Sequence, residues 1–141
     1  MPEPILNIQG LKAFYGDFQA LYGVDMYIEP GEVLAIIGAN GAGKTTLMRS
    51  VTGLLSNGPG QIHFQGNDIS QLRADEVAMQ GLAMVPEGRQ LFPSLSVKEN
   101  LRMGCFLRAH RKAYRERLDY VYDLFPILKE KSRQMAGDLS V

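Results

Sequence analysis

An α/β fold is predicted by three observations. The wholly apolar run Val33-Leu34-Ala35-Ile36-Ile37 leads straight into the glycine-rich stretch Gly38-Ala39-Asn40-Gly41-Ala42-Gly43-Lys44-Thr45-Thr46. A helix-forming stretch, Thr45 to Leu54, follows it. A second apolar run, Leu82-Ala83-Met84-Val85, ends in the polar loop Pro86-Glu87-Gly88-Arg89-Gln90. Strand, glycine turn, helix is the setting in which the spacing Gly-x4-Gly-Lys-Thr forms a phosphate-binding loop.

Taken in order, Ile5, Ile8, Leu11 and Phe14 alternate loosely over residues 5–15, with Gly10 as a break. Leu21 to Ile28 reads as a second strand, with Gly23 as a bulge. Pro30-Gly31 signals a turn. Val33 to Ile37 has no polar member and reads as a central strand buried on both faces. In the helix after the loop, Leu47, Val51, Leu54 and Leu55 mark the buried side, and Gly53 weakens the last turn. Asn57-Gly58-Pro59-Gly60 is a turn cluster before a short strand, Gln61 to Gln65, closed by Gly66-Asn67. His63 lies on its polar face, and no second ligand stands at a metal-binding spacing from it.

Ser70 is a candidate N-cap for a helix from Leu72 to Met79 that ends at Gly81. Leu82 to Val85 reads as another buried strand. Ser96 and Glu99 form a capping box that opens a helix from Val97 to about Leu107. After a polar break at Ala109 to Arg111, Tyr114, Leu118, Val121, Tyr122 and Phe125 fall on one helical face. Arg115, Arg117, Asp119 and Asp123 fall on or near the other, a solvated face. Pro126 stops or kinks that helix, and Lys129 to Gln134 is charged and exposed.

Composition narrows the classes. With 141 residues the chain reads as one domain, and 45% apolar residues can build a core. Lysine plus arginine equals aspartate plus glutamate, fifteen each, so charge gives no case for nucleic acid or an anionic membrane. The single cysteine, Cys105, excludes an internal disulfide and reads as a buried helical residue. Met1-Pro2-Glu3-Pro4 carries no basic apolar leader, and no run of eighteen apolar residues is present. Any membrane role is therefore expected through a partner.

The chemistry is concentrated in the glycine-rich loop. Gly38, Gly41 and Gly43 let the backbone turn tightly, so that successive N–H groups, those of Asn40 and Ala42 included, face inward as an anion nest. The following helix adds free N–H groups and the positive end of its dipole. Lys44 would reach the β- and γ-phosphates, the Thr45 hydroxyl would ligate magnesium, and Thr46 adds a donor. The loop Pro86 to Gln90, with Glu87, sits where open α/β sheets place ligand contacts, although composition alone favours a plain connecting loop.

Several stretches, in this order, resemble the ATP-binding subunits of ATP-binding-cassette (ABC) transporters, and among them those of branched-chain amino-acid importers. They are the loop Gly38 to Thr46, then Gly60-Gln61-Ile62-His63-Phe64-Gln65-Gly66, then Leu82 to Arg89, then Leu91-Phe92-Pro93-Ser94-Leu95-Ser96-Val97-Lys98-Glu99-Asn100-Leu101. The loop alone names only a superfamily. The Pro86-Glu87-Gly88-Arg89 run followed by Leu91-Phe92-Pro93-Ser94-Leu95 points to the amino-acid importers. The resemblance extends from about Leu6 to Ser140.

This resemblance implies a P-loop NTPase core of the ABC ATPase type, with an N-terminal antiparallel β subdomain, a helical subdomain and a missing C-terminal part. Its domain would span residues 5–141, with 5–32 mainly antiparallel, 33–90 the nucleotide-binding core and 91–136 helical. It implies ATP and Mg2+ as cofactors, Tyr15 as the ring that stacks on adenine, and Thr45 with Glu87 at the metal. Most members carry glutamine at the Glu87 position, whereas the amino-acid importers commonly carry glutamate. The implied partners are transmembrane permease subunits and a second ATP-binding subunit, on the cytoplasmic face of the membrane. The stretch Arg89 to Leu107 matches the groove for a permease helix, with Phe92 and Leu95 as interface or packing residues.

Leu139-Ser140 opens the family's Leu-Ser-Gly-Gly signature, and Val141 follows it. The signature, the second acidic strand, the catalytic glutamate and the switch histidine are not among these 141 residues. Neither Glu87 nor His110 is placed to substitute, so negligible ATP hydrolysis by these residues alone is expected. An open apolar edge at Val33 to Ile37 is expected to favour self-association. A non-catalytic interaction module and an incomplete reading frame remain alternatives to an ATP-binding subunit.

Overall fold

A computed structural model describes residues 3–88, 90–106 and 108–139, with the side chains at 108–110 outside that description. The expectations that fall on Arg89, Leu107, the His110 side chain, Ser140 and Val141 therefore lie outside the described residues. The chain divides into two compact units, Met1–Val85 and Pro86–Val141.

In the first unit, β1 (Leu6–Tyr15) and β2 (Phe18–Ile28) form a long antiparallel hairpin. Gly16, at φ 58°, and Asp17 make its two-residue turn. A glycine at positive φ in the first central position suits the twist of the flanking strands. Gly10 does not break β1 as the sequence suggested. The strand runs through it as a bulge at φ 57°, and the register with β2 shifts between Ile8 and Leu11. The freed Gly10 N–H donates to Asp25 Oδ1 at 2.7 Å.

β3 (Ile62–Phe64) pairs antiparallel with the other edge of β1, and β4 (Asn67–Asp68) pairs with β3, giving the order β2-β1-β3-β4. Gln65 (φ 49°) and Gly66 (φ 78°) form the tight turn between β3 and β4. One face of this sheet carries the core: Leu6, Ile8, Leu11, Ala13, Leu21 and Ile62 pack with Leu47 and Val51 of α1 (Lys44–Val51) and with Ile69 and Val77. Helix α1 is shorter than the stretch predicted for it. Gly53, at φ 70°, ends it: Leu54 N–H donates to Arg49 O at 2.9 Å and Gly53 N–H to Ser50 O at 3.2 Å. Leu54 therefore lies beyond the helix and is exposed, while Leu55 is half-buried against the core.

Two expected strands are not formed. Val33 to Ile37 and Leu82 to Val85 pair with no strand among the described residues. Val33, Ile37 and Val85 are each 94–96% exposed. An apolar run states a preference for burial, but a strand exists only where a ladder partner takes up its backbone groups. Ser70 is not the predicted N-cap either. Helix α2 (Ala74–Met79) starts at Arg73, whose N–H donates to Glu76 Oε2 at 2.8 Å. Ser70 is instead buried beside β3, where its hydroxyl accepts from the N–H groups of Gln61 and Ile62.

In the second unit, α3 (Val97–Met103) opens with the predicted box: Glu99 N–H donates to Ser96 Oγ and Ser96 N–H to Glu99 Oε2. These bonds hold the Glu99 carboxyl below the usual carboxylate range, with the Ser96 backbone first and its hydroxyl next. The helix stops at Gly104, short of the expected end, and Cys105 follows it half-buried in a turn rather than inside a helix. The segment Arg108–Ala113 is a 3-10 turn leading into α4 (Tyr114–Leu124). Tyr122 is buried and Tyr114, Leu118 and Val121 are half-buried on the predicted face, with Arg115, Arg117, Asp119 and Asp123 exposed opposite. Phe125 departs from that face. It precedes Pro126, which disfavours helical backbone before it, and it adopts φ −132°, ψ 76° with its ring exposed. Pro126 then opens α5 (Pro126–Glu130). The strip 93–98 is tied to 132–137 by four backbone bonds, among them Val97 N–H to Gln134 O and Ala136 N–H to Leu95 O, both at 2.9 Å.

Candidate functional site

The loop Gly38–Thr46 folds as a tight turn onto the first turn of α1. Gly41 (φ 84°) and Gly43 (φ 95°) are left-handed, and Ala42 N–H donates to Ala39 O at 3.1 Å. Gly38 approaches Ala42 so closely that a Cβ on it would lie 3.2 Å from the Ala42 Cβ. Gly43 is the N-cap of α1 and offers no side chain, and no acidic residue stands in the helix's first turn. The positive end of the dipole is thus left uncompensated by the chain, and it faces the loop.

Lys44 Nζ donates to Gly38 O and to Ala39 O, each at 2.7 Å. An ammonium has three donors, so two are held by the loop and one remains for an incoming anion. Thr45 is exposed, whereas Thr46 is buried. Asn40, Gly41 and Ala42 are exposed along the rim. Free helix N–H groups, a tethered cation and an exposed threonine fit a magnesium polyphosphate. Magnesium keeps several waters and needs only one or two protein oxygens, so the absence of a three-residue His/Cys/Asp/Glu cluster among the described residues is compatible with it.

Tyr15 closes β1 at the hairpin tip, 42% exposed, with its ring free of the core. Glu87 is exposed in the loop that opens the second unit. The structure thus gathers Gly38, Asn40, Gly41, Ala42, Gly43, Lys44, Thr45 and Thr46 into one loop, with Tyr15 on the adjoining hairpin. Glu87 stands in the other unit.

Two residues with structural roles were missed in the sequence, Ser70 and Asn100. Asn100 Oδ1 accepts from Phe92 N–H at 2.9 Å, and its amide donates to the carbonyls of Phe92, Ser96 and Leu95 at 3.0, 3.0 and 3.3 Å. It pins the Phe92-Pro93-Ser94-Leu95 loop. The only signal for it was its place inside the run Leu91–Leu101.

Comparison with known proteins bears on the whole chain. The family described as ABC transporter matches residues 21–141. The high-affinity branched-chain amino acid transport ATP-binding protein BraG of Pseudomonas aeruginosa is 38% identical over 136 residues, 96% of this chain and 58% of that protein. A probable branched-chain amino acid transport ATP-binding protein, LivF of Archaeoglobus fulgidus, is 32% identical over 136 residues, covering 96% and 57%. The sn-glycerol-3-phosphate import ATP-binding protein UgpC of Cupriavidus necator is 36% identical over 135 residues, covering 93% and 36%. The chain thus spans less than two thirds of these relatives. Among solved structures, MJ1267, an ATP-binding cassette of an ABC transporter, superposes with a TM-score of 0.77 at 27% identity, over 98% of this chain and 60% of that one. The antiparallel sheet and the helical part match the ABC ATPase architecture.

Proposed function

The chain belongs to the ABC transporter family, and we propose that it is the nucleotide-binding part of an ATP-binding subunit that serves branched-chain amino-acid import. The observation that carries this reading is Lys44, held at two of its donors by Gly38 and Ala39 at the mouth of a helix without a cap. In this reading the β- and γ-phosphates of ATP lie on the N–H groups of Gly41 and of Gly43 to Thr46, the Ala42 N–H being taken by Ala39 O within the turn, and the third Lys44 donor meets a phosphate oxygen. Thr45 is assigned to magnesium, which neutralises phosphate charge when bound, and Tyr15 to the adenine.

The branched-chain assignment is supported by BraG and LivF, each aligned over 136 residues, and by the Pro86-Glu87-Gly88-Arg89 run. The glycerol-phosphate relative at 36% identity shows how widely the remaining features are shared. The partners proposed are permease subunits and a second ATP-binding subunit, placing the protein on the cytoplasmic face of the membrane. Among the described residues no helix is long and apolar enough to cross a bilayer. Docking of a permease helix is proposed along Arg89 to Leu107, where Leu95, Lys98, Arg102 and Phe106 line an open groove of about 890 Å³ that does not include Phe92.

Equilibrium dialysis with labelled ATP tests the nucleotide part. Saturable binding that requires magnesium and weakens in Thr45→Ala is expected. A folded chain that takes up no ATP would overturn it. Co-expression tests the partner part: retention by the permeases of a branched-chain importer is expected, and retention only by those of another solute would refute that assignment.

A further inference from the structure

The turn at Gly16-Asp17 makes Tyr15 and Phe18 direct cross-strand partners. Such partners share one face of a hairpin, with Cβ atoms about 5 Å apart. The face is fixed by alternation along β1. Leu11 and Ala13 are fully buried in the core shared with Leu47 and Val51 of α1, and Tyr15 is next in that series. The position of the pair along the strand is fixed by Leu21. It is the partner of Ala13, and its Cδ2 abuts the site where Gly43 would carry a Cβ. Between Ala13 and Phe14 the register slips by one residue on β2, so that Phe18 rather than Gln19 comes opposite Tyr15, and the pair lies about one strand repeat, roughly 7 Å, beyond the glycine that precedes Lys44. Phe18 belongs to no part of the core and is 68% exposed.

We infer that Phe18 is a second base-contacting ring, forming with Tyr15 a two-ring shelf at the edge of the phosphate loop that takes the purine of a bound nucleotide. The inference rests on the nucleotide reading above. A single ring contacts one part of a base, whereas two rings at this spacing cover more of its apolar surface. Phe14 supplies the internal control. It is 45% exposed on the same strand but has the opposite alternation, so it faces away from α1.

The test titrates the chain and its Phe18→Ala, Phe18→Tyr and Phe14→Ala variants with ATP and with inorganic tripolyphosphate, which has no base. Phe18→Ala should weaken ATP about tenfold and leave tripolyphosphate unchanged. Phe18→Tyr should retain ATP affinity, and Phe14→Ala should alter neither ligand. The shelf is overturned if Phe18→Ala matches Phe14→Ala, or if it weakens tripolyphosphate as much as ATP. Parent chain that binds tripolyphosphate as tightly as ATP also removes the shelf but keeps the loop. Failure to bind either ligand removes the nucleotide reading and the shelf with it.

Discussion

A Cβ placed on Gly43 would lie 2.7 Å from Cδ2 of Leu21. The hairpin and the loop therefore meet at a glycine required by its φ of 95°, where an added Cβ would in addition oblige the Leu21 side chain to shift. Gly43→Ala should cost about 2 kcal/mol or more, measured by urea unfolding. Adding Leu21→Ala should relieve the contact but not the backbone strain, so ATP affinity should recover only in part. Full affinity in the single variant would show that the loop does not depend on this junction.

Ser70 is 2% exposed. Its Oγ accepts from Gln61 N–H at 2.9 Å and Ile62 N–H at 2.8 Å, and donates to Asp68 Oδ1 at 2.5 Å. Ser70→Ala would leave these donors without their acceptor at the start of β3, at a cost of about 2 kcal/mol. Equal unfolding midpoints for the two proteins would contradict this.

The same hydroxyl, with the Ser70 N–H next, holds the Asp68 carboxyl below the ordinary carboxylate range. A folded-state pKa below the unfolded one stabilises the fold above the unfolded value and loses that contribution as pH falls through the folded value. Stability should therefore decline as pH falls through the ordinary aspartate range, near about 4, and on through the lower folded-state value. The Asp68 share of that decline should be shallow, since the group is exposed. Asp68→Asn should flatten this share in acid unfolding curves, and an unchanged slope would assign the acid sensitivity elsewhere.

Asn100→Ala should free the loop from Phe92 to Ser96, because one side chain answers both the N–H and the C=O of Phe92. Limited proteolysis should cut between those residues faster than in the parent chain. Asn100→Asp keeps the acceptor but loses the donors to three carbonyls, so it should not restore protection. Parent-like resistance in Asn100→Ala would mean that the backbone ties to 132–137 suffice.

Local signals were legible and long-range ones were not. The two N-terminal strands, the box at Ser96 and Glu99, and the buried face around Tyr122 follow from residues within a few positions of one another, whereas the turn at Gly16-Asp17 that joins the strands was not read. The tight turn from Gly38 onto α1 was legible for the same reason, its signal lying in nine consecutive residues. Val33 to Ile37 misled because hydrophobicity reports a wish for burial, whereas a ladder needs a partner strand. Ser70 misled because a serine ahead of a helix looks like a cap, and only the third dimension shows β3 above it. Phe18 carried no signal at all until the register placed it opposite Tyr15.

The central claim is that Lys44, tethered by Gly38 and Ala39, receives the phosphates of ATP. Calorimetric titration of Mg-ATP into the chain and into Lys44→Ala tests it most directly, with circular dichroism as the control for folding. Saturable binding is expected in the parent, with its loss in a variant that remains folded, since Lys44 packs in no core. Equal binding in both proteins, or none in a folded parent, would contradict it.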